Sequence, residues 1–325
     1  MEERRIDRLA RNVGVVGLGT WQLGADWGTV TPRAAHAVLE TAVDAGVTFF
    51  DTADVYGDGR SEQFCGELQA RHPEVLVATK MGRRVEQLPQ NYNRDAFAVW
   101  NARSRANLAA EQIDLVQLHC PPDDVYEDDA VFDALDELVD DGHIRAYGVS
   151  VETCAQALRA IARARVASVQ IILNCFRLKP LEQVLPAALE AGVGIIARVP
   201  LASGLLSGRY DENTTFAPED HRSYNRHGEA FDVGETFAGV PFETGLAAAR
   251  ELSRLLDPGV TLAQFALRWV IDQRGVSTVI PGARNVEQVR QNVDAAALAP
   301  LRPDQLEGVA EVYDRLIREH VHGRW

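Results

Sequence analysis

Residues 144–199 read IRAYGVSVETCAQALRAIARARVASVQIILNCFRLKPLEQVLPAALEAGVGIIARV. Three short apolar runs stand in this stretch: Ile144 to Ser150, Val166 to Leu173 and Val193 to Val199. Two longer segments, Glu152 to Ala164 and Pro180 to Ala191, separate them and carry apolar residues at helical spacing. Runs of Val, Ile and Leu without polar alternation suit strands buried on both faces, as in a parallel sheet.

The same alternation extends in both directions. Upstream lie Val15 to Gly19, Val47 to Asp51, Val75 to Lys80 and Asp114 to His119; downstream lies Val276 to Pro281, which makes eight runs. From Pro32, residues Ala35, Val38, Leu39, Ala42 and Val43 follow a helical stripe. Thr31 stands as N-cap, Pro32 as first helical residue and Gly46 as terminator. The segment from Glu127 repeats the pattern with Val131, Leu135, Leu138 and Val139, stopped by Gly142, and Thr261 to Arg274 precedes the last run. Eight strands separated by helices predict a (β/α)8 barrel, an α/β fold with an N-terminal lead-in. Extra helices are expected near the C-terminus, over Phe242 to Leu256 and Pro303 to Glu319. Residues 203 to 240 lack helical period; following the seventh strand, they are expected to lie over the barrel's C-terminal face. No linker or composition shift divides the chain, so residues 1–325 read as a single domain.

A doubly wound open sheet is the structural alternative. It needs a Gly-x-Gly-x-x-Gly turn after its first strand. Gly17 and Gly19 begin such a turn, but Gln22 stands where the third glycine belongs.

The chain of 325 residues is 46% hydrophobic and 25% charged, an ordinary globular mix. Its net charge is −14, so nucleic acid and anionic membrane are excluded as expected partners, and a bound anion needs a local basic spot. Cys65, Cys120, Cys154 and Cys175 form no C-x-x-C pair and read as reduced, mostly buried thiols. Met1 to Arg11 is charged and lacks the apolar core of a signal peptide, and no apolar run is long enough to span a membrane. The cytoplasm is the expected compartment; oligomeric state leaves no readable mark.

Active sites of such barrels sit at the C-terminal strand ends. There the sequence places Asp51, Lys80, His119 and Ser150, with Gln170 to Asn174 along the sixth run and Tyr56 in the loop after Asp51. Carbonyl reduction needs a hydride donor and a proton donor. A phenol is a weak acid, and an adjacent ammonium favours its ionised form. Asp51 would pair with Lys80, and His119 could orient a substrate oxygen. The plainer alternatives are a structural Asp51–Lys80 ion pair, a core histidine, a surface tyrosine, and Cys120 as packing.

The segments Gly17-Leu18-Gly19-Thr20-Trp21, Phe50-Asp51-Thr52-Ala53-Asp54-Val55-Tyr56-Gly57, Ala78-Thr79-Lys80, Asp114-Leu115-Val116-Gln117-Leu118-His119 and Ile280-Pro281-Gly282-Ala283-Arg284-Asn285 resemble the aldo-keto reductases, in family order across nearly the whole chain. The resemblance implies an NADPH-dependent reductase with Tyr56 as general acid and Asp51, Lys80 and His119 completing a tetrad. It places Arg284 at the 2′-phosphate of NADP(H), Gln288 and Asn292 near the adenine, and Ser150 and Gln170 on the nicotinamide carboxamide. Leu201 to Ser207 resembles the loop that crosses the pyrophosphate, so that Pro200, Leu201, Ser203, Gly204, Leu206 and Ser207 join the cofactor site with Thr20, Trp21 and Gly282. No metal is implied.

Two departures from the family pattern stand out. Val151 follows Ser150 where many members carry Asn. Arg198 occupies the position of an aromatic residue that stacks on the nicotinamide. A guanidinium can stack too, and its charge would then disfavour the cationic NADP⁺ ring; alternatively Arg198 pairs with a carboxylate.

Substrates consistent with this reading are aldehydes, ketones or keto-sugars. Trp21, Trp27, residues 83 to 93, the Pro121-Pro122 loop and residues 203 to 240 are expected around the pocket. One alternative is a cofactor-binding regulatory subunit of low turnover. Another is a lyase or aldolase using Lys80 as a Schiff base, which Asp51 opposes by raising the lysine pKa.

Overall fold

A computed structural model describes residues 1–24 and 30–325. Trp27, expected near the pocket, lies outside the described residues. A hairpin comes first, β1 (Glu3–Ile6) against β2 (Arg11–Gly14), antiparallel with Glu3 opposite Gly14 and Ile6 opposite Arg11. The barrel strands follow: β3 (Leu18–Gly19), β4 (Phe49–Asp51), β5 (Leu76–Met81), β6 (Ile113–His119), β7 (Ile144–Ser150), β8 (Val166–Ile172), β9 (Gly194–Arg198) and β10 (Val276–Val279). Each pairs in parallel with its sequence neighbour.

The sheet closes between its first and last strands. Gly17 N donates to Val279 O at 2.8 Å, Val279 N to Val15 O at 3.0 Å and Gly19 N to Pro281 O at 3.1 Å. This seam explains the glycines that imitate a dinucleotide turn. A β-carbon on Gly17 would sit 2.8 Å from Phe49 O, and one on Gly19 would sit 3.1 Å from Ile280 O. They are small because strands approach closely there.

The helices are α1 (Pro32–Asp44), α2 (Arg60–Arg71), α3 (Arg94–Leu108), α4 (Asp129–Asp140), α5 (Cys154–Ile161), α6 (Val184–Ala191), α7 (His221–Tyr224), α8 (Phe242–Leu252), α9 (Leu262–Asp272), α10 (Val286–Asp294), α11 (Pro303–Val312) and α12 (Arg318–Val321). Thr31 Oγ1 accepts from Ala34 N at 3.2 Å and Pro32 opens α1, as the sequence predicts. The last predicted helix is interrupted: Tyr313–Ile317 form a π turn between α11 and α12. The 203–240 segment contains only α7 and short 3₁₀ turns. Among the described residues no helix is long and apolar enough to cross a membrane. The cysteines are free thiols; Cys65, Cys120 and Cys175 are buried.

Side chains alternate across each strand. Phe50, Val77, Val116, Val149, Val169 and Ile195 pack into the large outer core with the helices. Phe49, Leu76, Ala78, Leu115, Ala146, Ala167, Ile196 and Ile280 form a second apolar cluster inside the barrel, together with Ile6, Leu9 and Val13 of the hairpin region. The hairpin therefore stops the lower end of the barrel. Arg4 Nη1 fastens it to Val276 O at 2.7 Å, and Arg8 Nη1 to Val166 O at 3.0 Å. The sequence offers only a charged lead-in here, because few of its residues are apolar.

Ile6 is 1% exposed in this plug. Ile6→Ala is expected to cost about 2–5 kcal/mol by leaving a cavity. Urea unfolding would show a lowered midpoint; an unchanged midpoint would mean that the hairpin contributes no packing.

Candidate active site

The alternation that fills the lower barrel with apolar side chains fills the upper end with polar ones. Two residues beyond Phe49 comes Asp51; beyond Leu76 and Ala78 comes Lys80; beyond Leu115 come Gln117 and His119; beyond Ile196 comes Arg198. Lys80, 1% exposed, is the hub. Its Nζ donates to Asp51 Oδ1 at 2.5 Å, Thr52 O at 2.9 Å and Tyr56 Oη at 3.2 Å. All three ammonium protons thus have acceptors. The second oxygen of Asp51, Oδ2, accepts from Gln170 Nε2 at 2.7 Å and Gln117 Nε2 at 3.2 Å. Gln117 was not singled out in the sequence; lying two residues before His119 on a strand, it was findable by period.

Burial opposes the charge on Lys80, but Asp51 and Tyr56 outweigh it and raise its pKa. For Tyr56, burial raises the phenol pKa, Lys80 lowers it and Asp51 raises it again. The net shift is upward, contrary to the lowering expected from Lys80 alone, because the barrel removes solvent from the phenolate. Tyr56 is therefore held as a neutral phenol. His119 is held neutral, well below the usual imidazole range, by burial and by Arg83, Lys80 and Arg198. Its Nδ1 is buried without a hydrogen-bond partner. Its ring meets that of Tyr56 edge-on at 6.0 Å, and Trp21 stacks on the other side of Tyr56, also at 6.0 Å. The long loop adds His221 and Phe231, 5.2 and 6.2 Å from the Trp21 ring.

Arg198 is carboxylate-paired. Its Nη2 donates to Val151 O at 3.0 Å and Glu152 Oε2 at 3.3 Å, and Nη1 lies 3.6 Å from Glu235 Oε1. Arg83 Nη2 bonds the same two glutamates, each at 3.0 Å. Arg198 therefore shares two carboxylates with Arg83, the paired arrangement that the sequence offers as the alternative to stacking. Cys120 Sγ joins Glu152 and Glu235 in a group of metal-ligand type. Arg83 and Arg198 hold those carboxylates, however, and two cations beside them repel a metal ion. Burial and Glu235 raise the pKa of Glu152; for Glu235 burial is outweighed by Arg83 and Arg198, which lower it. Glu152 was not singled out in the sequence; Arg83 and Glu235 fall in the stretches 83 to 93 and 203 to 240 expected around the pocket, but no period picks out either residue.

The remaining predicted cofactor residues lie along the rim. Ser150 Oγ accepts a weak bond from Cys120 Sγ at 3.5 Å, and Thr20 Oγ1 donates to Asp51 O at 2.9 Å. After β9 the backbone runs through Pro200 and Leu201 to Ser207, with Val199, Ala202 and Ser203 at positive φ beside Gly204. Such left-handed residues cost about 1–3 kcal/mol each and persist only where their surroundings enforce them. Leu206 is buried, Ser207 Oγ donates to Gly204 O at 2.5 Å, and Ser203 Oγ donates to Glu235 O at 3.1 Å. At the start of α10, Arg284 N donates to Gln288 Oε1 at 2.7 Å, and Asn292 Nδ2 donates to Gly282 O at 3.2 Å. Burial raises the pKa of Tyr210 against the opposing charges of Arg222 and Arg284, and Arg209 donates to Gln291 of α10 at 3.3 Å. Arg222 itself is paired with Asp220.

The Aldo/keto reductase family model matches residues 15–314. The chain belongs to the aldo/keto reductase family and is an oxidoreductase. It is 30% identical over 305 residues to the aldo-keto reductase YhdN of Bacillus subtilis, covering 91% of this chain and 84% of that protein. It is 35% identical over 297 residues to an uncharacterized oxidoreductase of Mycobacterium tuberculosis, covering 87% and 84%. A solved glycerol dehydrogenase from Gluconobacter oxydans matches with a TM-score of 0.80 and 30% identity, over 97% of this chain and 96% of that one. An aldo-keto reductase from Klebsiella pneumoniae solved with NADPH, at 23% identity and a TM-score of 0.69 over 96% of each chain, shares the fold.

The network separates a structural ion pair from a chemical one. Lys80→Met leaves Asp51 buried without its counter-ion and is expected to cost about 3–5 kcal/mol. Adding Asp51→Asn should restore much of the stability and none of the turnover, read by urea midpoints and activity. Recovery of both would make the pair structural only.

Asp54 gives a pH test. It is 1% exposed, Arg84 Nε lies 3.5 Å from its Oδ2, and burial and then Glu62 outweigh that arginine and push its pKa to about 7. A carboxyl raised on folding favours the folded state below its unfolded pKa, near 4, and loses that contribution as pH rises through 7. Asp54→Asn should therefore gain stability over wild type between pH 4 and 8, on the order of 4 kcal/mol at full effect. Parallel stability curves would refute the buried, proton-holding Asp54.

Proposed function

We propose that the protein reduces a small aldehyde, ketone or keto-sugar to the alcohol with NADPH, Tyr56 giving the proton. The observation that carries this reading is the continuous hydrogen-bonded line from Asp51 through Lys80 to a neutral Tyr56 beside neutral His119. The residues present fit NADPH. Arg284 stands just before α10, whose N-terminal turn suits a phosphate, and the strained loop from Val199 to Gly204 follows β9 at the catalytic end. Arg284 would hold the 2′-phosphate, Gln288 and Asn292 the adenine end, and Ser150 the carboxamide. Gln170, already bonded to Asp51, would reach the carboxamide only by sharing its amide.

Bound NADPH supplies the hydride that forms the new C–H bond at the carbonyl carbon. The chain's residues do the rest. His119 orients the carbonyl oxygen, and Tyr56 Oη transfers its proton to that oxygen as negative charge develops there. Lys80 remains an ammonium and stabilises the phenolate left behind; Asp51, fixed by Gln117 and Gln170, keeps Lys80 charged. Solvent then returns a proton to Tyr56. Trp21, Phe231 and His221 cluster beside Tyr56 and would form an aromatic wall for the substrate. The Gluconobacter relative is named for glycerol, which supports small hydroxylated carbonyl compounds among the substrates.

The test follows NADPH absorbance with a reactive aromatic aldehyde. Tyr56→Phe should lose about 10²–10⁴-fold in turnover while binding NADPH as wild type does. With the proton held above its ordinary pKa, wild-type turnover should stay flat through neutral pH and fall only in strong alkali. A wild-type protein that binds NADPH yet is inert toward a broad carbonyl panel would overturn the reading in favour of a regulatory subunit.

A further inference from the structure

Trp325 follows α12 and is 6% exposed. Its Nε1 donates to Asp232 Oδ1 at 2.9 Å, and the Arg177 guanidinium lies 4.1 Å over its ring. Arg177 Nη1 in turn donates to Ala238 O at 3.3 Å. The indole lies flat on two glycines of the long loop. A β-carbon on Gly234 would come within 2.9 Å of the ring, and one on Gly239 within 2.4 Å. Phe237 and Ala238, between those glycines, sit at φ of 54° and 58°, so this stretch holds a conformation that its surroundings must enforce.

Glu235 lies in the same clamped stretch. Its backbone O accepts from Ser203 Oγ, which also receives Phe237 N at 3.0 Å. Its carboxylate is held by Arg83 and Arg198; Arg198 Nη2 also reaches Cys120 Sγ at 3.7 Å, next to His119, which burial and then these charges keep neutral. One packed line thus joins Trp325 to the catalytic mouth through Asp232, Gly234 and Gly239, then Glu235, then Arg83 and Arg198.

We propose that Trp325 is a positioning residue for catalysis: by clamping residues 232–239 it sets Glu235, and through Glu235 the two arginines beside His119. Its place rests on the reductase reading only for the catalytic consequence; the clamp itself is a property of the fold. A line of contacts is not yet coupling, which is shown by energies that fail to add.

The experiment is a double-mutant cycle with Trp325→Ala and Glu235→Gln, and Trp325→Phe as the conservative variant. Two quantities are read on native protein: trypsin cleavage within the loop, at Arg209, Arg222 and Arg226, and kcat for NADPH-dependent aldehyde reduction. Trp325→Ala should speed loop cleavage and lower kcat, each about ten-fold, the scale of one lost positioning contact. Glu235→Gln should do the same, and the double variant should be no worse than either single one. Trp325→Phe, which keeps an aromatic ring under Arg177 but is smaller than the indole and lacks Nε1–H, should fall between wild type and Trp325→Ala in both and leaves less of a cavity than alanine does. Additive losses, or a Trp325→Phe variant as slow as Trp325→Ala, would overturn the proposal. So would faster cleavage with unchanged kcat in an active enzyme. Should wild type reduce no carbonyl, the reductase reading falls, while the cleavage cycle still decides whether Trp325 and Glu235 act as one unit.

Discussion

An ammonium ion buried inside a barrel is costly unless every proton and its whole charge are answered nearby. Lys80 meets that condition. A carboxylate, a backbone carbonyl and a phenol surround its Nζ, and the carboxylate is itself held by two glutamine amides. Asp51, Thr52 and Tyr56 come from the end of β4 and the loop after it, Lys80 from β5, and the two glutamines from β6 and β8, so the arrangement exists only if these four strands hold their register. The geometry of the site is thus a direct consequence of barrel closure, and the close seam at Gly17 and Gly19 has chemical consequences 32 residues away, by the pairing of Gly19 with Asp51.

The lower barrel makes that arrangement possible. Hairpin residues Ile6, Leu9 and Val13 close the apolar interior from below, leaving the polar layer above in contact with the open end alone. Low dielectric strengthens the Asp51–Lys80 attraction, and the same dryness keeps Tyr56 and His119 neutral. Stability and proton chemistry are therefore two outcomes of one burial pattern.

Above the mouth a second charged network works on a different principle. Arg83, Arg198, Glu152 and Glu235 join the ends of three barrel elements to a loop with almost no regular structure. A loop of that length gains order from its fastenings: Ser203, the two arginines and the indole of Trp325. Leu205, Leu206, Phe237, Ala238 and Val240 anchor the segment in the main core, and these polar fastenings hold the stretches between them.

The barrel was legible because its strands are apolar runs and its helices carry capped, periodic stripes, both local properties. Asp51, Lys80, His119 and Tyr56 were legible because strand ends follow from strand boundaries, and alternation decides which side chains face inward. The hairpin plug was not, since only a few apolar residues on a charged segment do the sealing. Nor could the sequence choose between a stacked and a paired Arg198: Glu152 is 46 residues away and Glu235 lies in an aperiodic loop. It also misjudged Tyr56, whose acidity depends on the water that the fold removes more than on its charged neighbour. By itself, then, the sequence determined the barrel, the strand ends and the residues on them, because period and spacing are written along the chain. The tertiary structure alone decided the plug, the ionic network, the seat of Trp325 and the protonation of the site, because those depend on distances between segments and on the solvent left between them.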